Sequence, residues 1–279
     1  MIDYENCNDM DEMYTVMLDN MDKSVYIGTS SVIGRRHDQQ DAVRADTFYS
    51  YVEEGRAIAV LCDGMGGMVG GGKASALCTS LVYDTFHNHT AFPSIPMFYK
   101  SVIFQSDEAV RLMKDEDGTP ISGAGTTLSS VVIDNDQLFW AAVGDSRIYI
   151  VRGDDILRIT KDHNFLMLLN ERVRLGELTQ EEADNNPKKE ALVSYIGMGG
   201  VRYVDMSSKG FHLMDGDHIV LCSDGLYRSL SEEEIKQVVC DFGTETQQAA
   251  EALTSLALSK NYKNQDNTTV VVIAYQDSG

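Results

Sequence analysis

TTLSSVVIDNDQLFWAAVGDSRIYIVRG, residues 126–153, holds three β-rich runs in a row. TTLSSVVID, QLFWAAVG and RIYIVRG are parted by short polar gaps at residues 134–136 and 144–146. Alternation with such short gaps predicts an antiparallel meander. Working outward, residues 24–29 and the apolar run AIAVLC at 57–62 read as strands, as do HIVLC at 218–222 and TTVVVIAY at 268–275. Helical spacing is predicted from about 73 to 87, from Pro96 to about 114, and in the charged stretch 162–186. Capping boxes are expected at Thr179 with Glu182, Ser231 with Glu234 and Thr244 with Gln247. Strands come in groups and helices in pairs, which points to an α+β sandwich and away from a doubly wound parallel sheet.

Bulk composition narrows the rest. The 279 residues are 43% apolar, enough for one sizeable core. Residues 1–23 read as an acidic N-terminal extension, and residues 24–276 as one folded domain without repeats or linkers. Lys plus Arg number 23 against 43 Asp plus Glu, for a net charge of −20. Nucleic acid and anionic lipid are therefore excluded as partners, since both are bound by neutralising phosphates with basic side chains. Five scattered cysteines without a CxxC pair suggest neither a disulfide framework nor a zinc site. No run is long enough to span a bilayer, and the acidic start lacks the features of a signal peptide, so a cytoplasmic protein is expected.

The aspartates mark the site. Asp63 ends AIAVLC, Asp224 ends IVLCS, Asp145 follows LFWAAVG, Asp266 immediately precedes the last strand, and Asp41 lies in RRHDQQDAV. Carboxylates at the tips of buried strands are held rigidly and can converge at one end of a sandwich. Together they would repel one another unless a divalent cation joined them. An all-oxygen set selects a hard ion such as Mg²⁺ or Mn²⁺. Asp-Gly after a strand is also an ordinary turn signal, and Asp134 and Asp154 are read that way.

Two rivals are weaker. Residues 67–73, GMVGGGK, fit the spacing of a nucleotide-binding P-loop, but Ala74 stands where that loop needs Ser or Thr. Lys73 is more simply a residue at a helix start. His87, His89, His212 and His218 are read as structural or exposed, whereas His37 and His163, near the aspartate motifs, are weak candidates for proton transfer. No GxSxG or HExxH pattern is present.

Taken in order, RRHDQQDA, AVLCDGMGG, GAGTTL, AAVGDSRIYI, LRITKDHN, VLCSDGL and QDNTTVVVI resemble the metal-dependent protein phosphatases of type 2C, most of all their compact bacterial branch. The stretch LGELTQEEADNNPKKEALVSYIG, 175–197, resembles that branch's flap. The resemblance implies a four-layer α-β-β-α sandwich, two mainly antiparallel sheets flanked by helices, with the site at one edge. It implies hydrolysis of phosphoserine and phosphothreonine in proteins and a role opposing a Ser/Thr kinase. Phosphorylated proteins would be the partners of a monomeric enzyme carrying two Mn²⁺ or Mg²⁺ ions and a possible third. By the same resemblance Asp63 bridges two ions with the Gly64 carbonyl beside it. Asp224 and Asp266 hold one ion, Asp41 binds metal or orients its water, Asp145 joins Asp224 at a third site, and Arg36 grips the substrate phosphate. A water between two such cations, ~3.5–4 Å apart, attacks phosphorus in line, which needs no side-chain nucleophile. Gln40, Met65 and Glu190 depart from residues common among the relatives.

Overall fold

The computed structural model describes residues 23–48, 56–88 and 93–277. Apart from Lys23, the expected acidic extension lies outside those residues. Five strands form one sheet: β1 (Lys23–Val32), β12 (Thr268–Asp277), β11 (His218–Cys222), β7 (Arg147–Arg152) and β8 (Asp155–Arg158), in that spatial order. The second follows the order β10 (Phe211–His212), β6 (Gln137–Val143), β5 (Leu128–Asp134), β3 (Arg56–Met65) and β2 (Asp41–Phe48). Two short strands join its flanks, β4 (Gly125–Thr126) on β3 and β9 (Asp205–Met206) on β6. All pairings are antiparallel.

Period-two alternation explains how the apolar runs build the layers. Ala57, Ala59 and Leu61 of β3 face the other sheet and pack with Ile148, Ile219, Leu221 and Ile273. Ile58, Val60 and Cys62, alternating with them, face outward against α1 (Gly67–Asn88) and α2 (Ile95–Arg111) through Ala74, Cys78, Val82 and Phe98. On the far side Val220, Cys222, Val270 and Val272 lie under α6 (Glu232–Phe242) and α7 (Thr246–Ser259). Strands covered on both faces read as continuous apolar runs, as AIAVLC and HIVLC do. The result is the expected four-layer sandwich. Two short helices, α3 (Phe165–Arg174) and α4 (Gln180–Asp184), divide the charged 162–186 stretch, and α5 (Asp224–Tyr227) follows β11.

Four expectations need correction. The predicted meander stops after two strands: β5 and β6 are neighbours, but β7 lies in the other sheet. The chain changes sheet at residues 144–146, where Gly144 has φ +102° and a Cβ would come within 2.6 Å of the Thr127 side chain. Alternating sequence reads the same in a hairpin and in a crossing of this kind. Next, α1 starts at Gly67, six residues before the expected start, so Lys73 lies within it and no P-loop forms. Glycines are poor helix formers, but here they permit close packing: a Cβ on Gly64 would meet the Gly71 carbonyl oxygen at 2.1 Å. The helix after Pro96 ends at Arg111 and begins at Ile95, with Ser94 as its N-cap. Finally, the Thr244–Gln247 box is absent, because Glu245 occupies the N-cap of α7. The Gln247 amide instead clamps Thr29 of β1, accepting its N–H and donating to its carbonyl, each at 3.0 Å. The boxes at Thr179 and Ser231 both form.

Cys62, Cys78, Cys222 and Cys240 are free thiols. Among the described residues no helix is long and apolar enough to cross a membrane.

Candidate active site

Strand register brings the first two aspartates together. Asp41 opens β2 directly opposite Asp63 on β3. The backbone around Asp63 is fixed on its other side: its N–H donates to Thr127 Oγ1 at 2.8 Å, and its carbonyl accepts from Thr127 N at 2.8 Å and Thr126 Oγ1 at 2.9 Å. Gly64 N donates to the Gln40 carbonyl at 3.0 Å. From the other sheet, β11 ends at Cys222 and delivers Asp224 as the first residue of α5. Between them Ser223 ties the two sheets together, donating to Asp41 Oδ2 at 2.8 Å and accepting from Thr269 N at 2.9 Å. Asp266, just before β12, accepts from Asn267 N and is paired with Arg36 at 2.5 Å. The Asn267 side chain accepts from Gln40 N at 2.8 Å and donates to the carbonyls of Ile33 and Asp38, locking the RRHD loop beside Asp266. Asp145 sits in the sheet-crossing turn, with the Tyr227 hydroxyl 3.4 Å from Oδ2.

These elements enclose a cleft of about 610 Å³ at one edge of the sandwich, lined by Arg36, Asp63, Gly64, Asp145, Asp224 and Asp266 among others. Asp41 is 8% exposed and lies beside Asp63 on the neighbouring strand. Thus all seven residues singled out from the sequence gather in one region: Asp41, Asp63 and Gly64 on adjacent strands of one sheet, Asp224 at the start of α5, and Arg36, Asp145 and Asp266 in three loops.

Their electrostatics are those of crowded, desolvated anions. Burial pushes the Asp41 carboxyl up to about 6, against the lowering effect of hydrogen bonds from Thr269 and Ser223. Asp63 is driven well above the carboxylate range, first by burial and then by Asp41, Asp224, Asp145 and Asp266. Asp145 rises to about 7 by burial and by Asp224. Asp224 is raised by burial, with Arg228 opposing. Two oxygens, Asp41 Oδ1 and Asp224 Oδ1, are buried without a hydrogen-bond partner. Buried polar atoms are rarely left so, and an orphaned carboxylate oxygen beside further carboxylates fits a hard divalent cation. Among the described residues no three His, Cys, Asp or Glu side chains form a ready-made cage. An ion here would complete its shell with backbone oxygen and water, as Mg²⁺ commonly does.

Several contributors escaped sequence reasoning. Arg228 pairs with Asp224 and with Glu190 at 3.1 Å each, and its only local signal is its place one helical turn after Asp224. Ser223, Thr127 and Asn267 stand next to motif aspartates or threonines, yet their bonds run across the sheets and leave no local pattern. His37 does line the cleft. His163 is buried, and Gly144 N donates to its Nδ1 while its own N–H donates to the Gly144 carbonyl, so it braces the crossing turn. Burial lowers its pKa.

Two stacked antiparallel sheets between helix layers, with an acidic cleft where strands of both sheets end, define the class of four-layer protein phosphatases. The chain belongs to the protein phosphatase 2C family, whose family model, "Protein phosphatase 2C", matches residues 33–261. It is 30% identical over 219 residues to the serine/threonine phosphatase stp of Listeria innocua, covering 77% of this chain and 83% of that protein. The solved serine/threonine phosphatase of S. agalactiae superposes with a TM-score of 0.76 at 30% identity, over 90% of this chain and 99% of that one. The catalytic domain of serine threonine protein phosphatase PstP, solved in complex with 2 manganese ions, gives 0.71 at 26% identity, over 91% and 100%. The chain is accordingly a protein serine/threonine phosphatase.

Proposed function

We propose that this phosphatase hydrolyses phosphoserine and phosphothreonine in proteins with Mn²⁺ or Mg²⁺ bound in the acidic cleft. The observation that carries the reading is the convergence of Asp41, Asp63, Asp145, Asp224 and Asp266, two of them with an orphaned buried oxygen. Asp63 and the Gly64 carbonyl would hold two ions between them, Asp224 and Asp266 would complete one of these sites, and Asp145 with Asp224 would offer a weaker third. Bound cations supply Lewis-acid chemistry and lower the pKa of a water to near neutrality. The residues do the rest. Asp41, held by Ser223, would orient the water that such ions supply. Arg36, 58% exposed and already engaged with a carboxylate, can exchange that partner for the substrate phosphate. Met65 at the cleft wall carries no proton, so the leaving alkoxide takes one from water. The enzyme acts as a monomer in the cytoplasm, on phosphorylated proteins made by a Ser/Thr kinase.

The test is phosphate release from a phosphothreonine peptide. Mn²⁺ is expected to support it, EDTA to silence it, and Asp63→Ala to lower kcat by roughly a thousandfold, the scale of losing a principal electrostatic group. Undiminished turnover in Asp63→Ala would remove the site from consideration.

A further inference from the structure

Arg228 and Glu190 both line the cleft, and neither belongs to the donor set above. The guanidinium joins two carboxylates from distant parts of the chain: Nη1 lies 3.1 Å from Glu190 Oε2, and Nη2 lies 3.1 Å from Asp224 Oδ2. Glu190 projects from the segment between α4 and the pair Thr126–Ile196. Behind, that segment is anchored to the first turn of α3, because Phe165 N and Leu166 N donate to the carbonyls of Ala191 and Lys189 at 2.8 Å. Val193 N donates to the His163 carbonyl at 2.9 Å. Toward the cleft, the ion pair with Arg228 is what ties Glu190 down.

We propose that Arg228 is a latch coupling cation binding at Asp224 to the position of the segment around Glu190. The inference rests on the metal-site reading above. Asp224 Oδ2 is the shared partner, and its sister oxygen Oδ1 is the orphan. A guanidinium and a dication on one carboxylate repel each other, so cation loading weakens the Arg228–Asp224 pair. Arg228 then moves off the cleft floor, and Glu190 with its segment moves with it. The latch is shut in metal-free protein and loosened in loaded protein. Arg228 is thus a positioning residue whose charge also sets how tightly the first ion is held.

Amide hydrogen exchange across residues 186–193, paired with calorimetric Mn²⁺ titration, separates these effects. In EDTA-treated protein, Arg228→Ala and Glu190→Gln are each expected to speed exchange at Lys189 and Ala191 by roughly tenfold, a local opening without global unfolding. Mn²⁺ should speed the same amides in the wild type and leave them unchanged in Arg228→Ala. Arg228→Ala should bind Mn²⁺ roughly fivefold tighter, the scale of one charge at a half-exposed site, whereas Glu190→Gln should not. Should Arg228→Ala fold poorly by circular dichroism, Glu190→Gln, altered at an exposed tip, carries the exchange test alone. Wild-type exchange in both variants overturns the latch. A wild type that binds no Mn²⁺ overturns the metal site instead, and the exchange comparison in EDTA still reads the ion pair.

Discussion

The two ends of strand β11 each carry an aspartate, Asp217 buried and Asp224 at the cleft with its side chain 14% exposed, and the two could hardly be treated more differently. Asp217, just before the strand, is fully buried and fully satisfied. Arg152 reaches it with two prongs, at 2.7 and 2.5 Å, and Met214 N donates to it at 2.8 Å. Asp224, just after the strand, shares one oxygen with Arg228, and its other oxygen has no partner at all. Besides Arg228 and Arg36, the charges around it are carboxylates, Asp266 and Glu190. A buried carboxylate with both oxygens engaged is a structural clamp. One left short of partners among like charges costs the fold energy and makes sense only as a site for something positive.

The largest expected effect comes from exchanging the two ends. Asp224→Asn should lower kcat by about two to three orders of magnitude with Mn²⁺ present, because on the proposed metal-site reading a cation-facing charge is lost. Asp217→Asn should leave kcat within about twofold. Stability should show the reverse order. In EDTA, Asp217→Asn breaks a buried two-pronged pair and should cost about 3 kcal/mol by denaturant titration, whereas Asp224→Asn relieves repulsion and should be neutral or stabilising. Equal losses of stability at the two positions would erase the distinction.

Next in size is a pH effect confined to the cleft end. Asp41 is raised to about 6 and Asp145 to about 7, both chiefly by burial. In the unfolded chain both titrate near the ordinary value of about 3.9. Between roughly pH 4 and 7 the folded, metal-free protein therefore holds protons that the unfolded chain has released, so stability falls as pH rises through that window. Below it both states are protonated, and above it the full cost of the buried charges remains. Melting of EDTA-treated protein should drop by several degrees from pH 5 to pH 8. Saturating Mn²⁺ should flatten or invert the trend, because the ion favours the ionised forms. A metal-free melting curve indifferent to pH would mean that these carboxylates are not crowded as the geometry has them.

The same contrast shows what the sequence made legible. Asp63 and Asp224 stood out because each stops an apolar run, and buried strands advertise themselves when both faces are covered. The family strings then singled out seven residues, which the strand register and the flanking loops bring into one region. Less visible were features decided by contacts far apart in the chain. Gly67, Gly70, Gly71 and Gly72 disguise the start of α1, since propensity argues against a helix that close packing on Gly64 and Gln40 allows. The change of sheet at Gly144 is silent because antiparallel alternation is the same on either side. Gln247 looks like a capping residue until Thr29 is found beside it. Asp217 itself went unremarked, because its clamp, Arg152, lies 65 residues earlier.

The smallest expected effect lies between the two ends' logics, at Ser223. Its hydroxyl sits at the cleft end of β11 but behaves like the satisfied end: it donates to Asp41 and accepts from Thr269 N, stitching β12 to β11 and to the opposite sheet. Ser223→Ala leaves the Thr269 N–H without that acceptor and Asp41 without its donor. Losing both should cost about 1–2 kcal/mol, since Ser223 is fully buried and water does not replace the bonds. The catalytic consequence should be modest, a severalfold fall in kcat with KM for a phosphopeptide little changed, because Asp41 keeps its place in β2 while losing its fixed orientation. The residue separates the two roles in one measurement. If stability falls and kcat does not, Ser223 belongs with Asp217 as a clamp. A fall in kcat without loss of stability would make it part of the cleft. The expected outcome is both, with the stability term carried by Thr269 and the kinetic term by Asp41. Thr269→Val, which keeps the backbone bond to Ser223 and loses the hydroxyl contact with Ser31 at 2.7 Å, should therefore lower stability and leave kcat close to wild type.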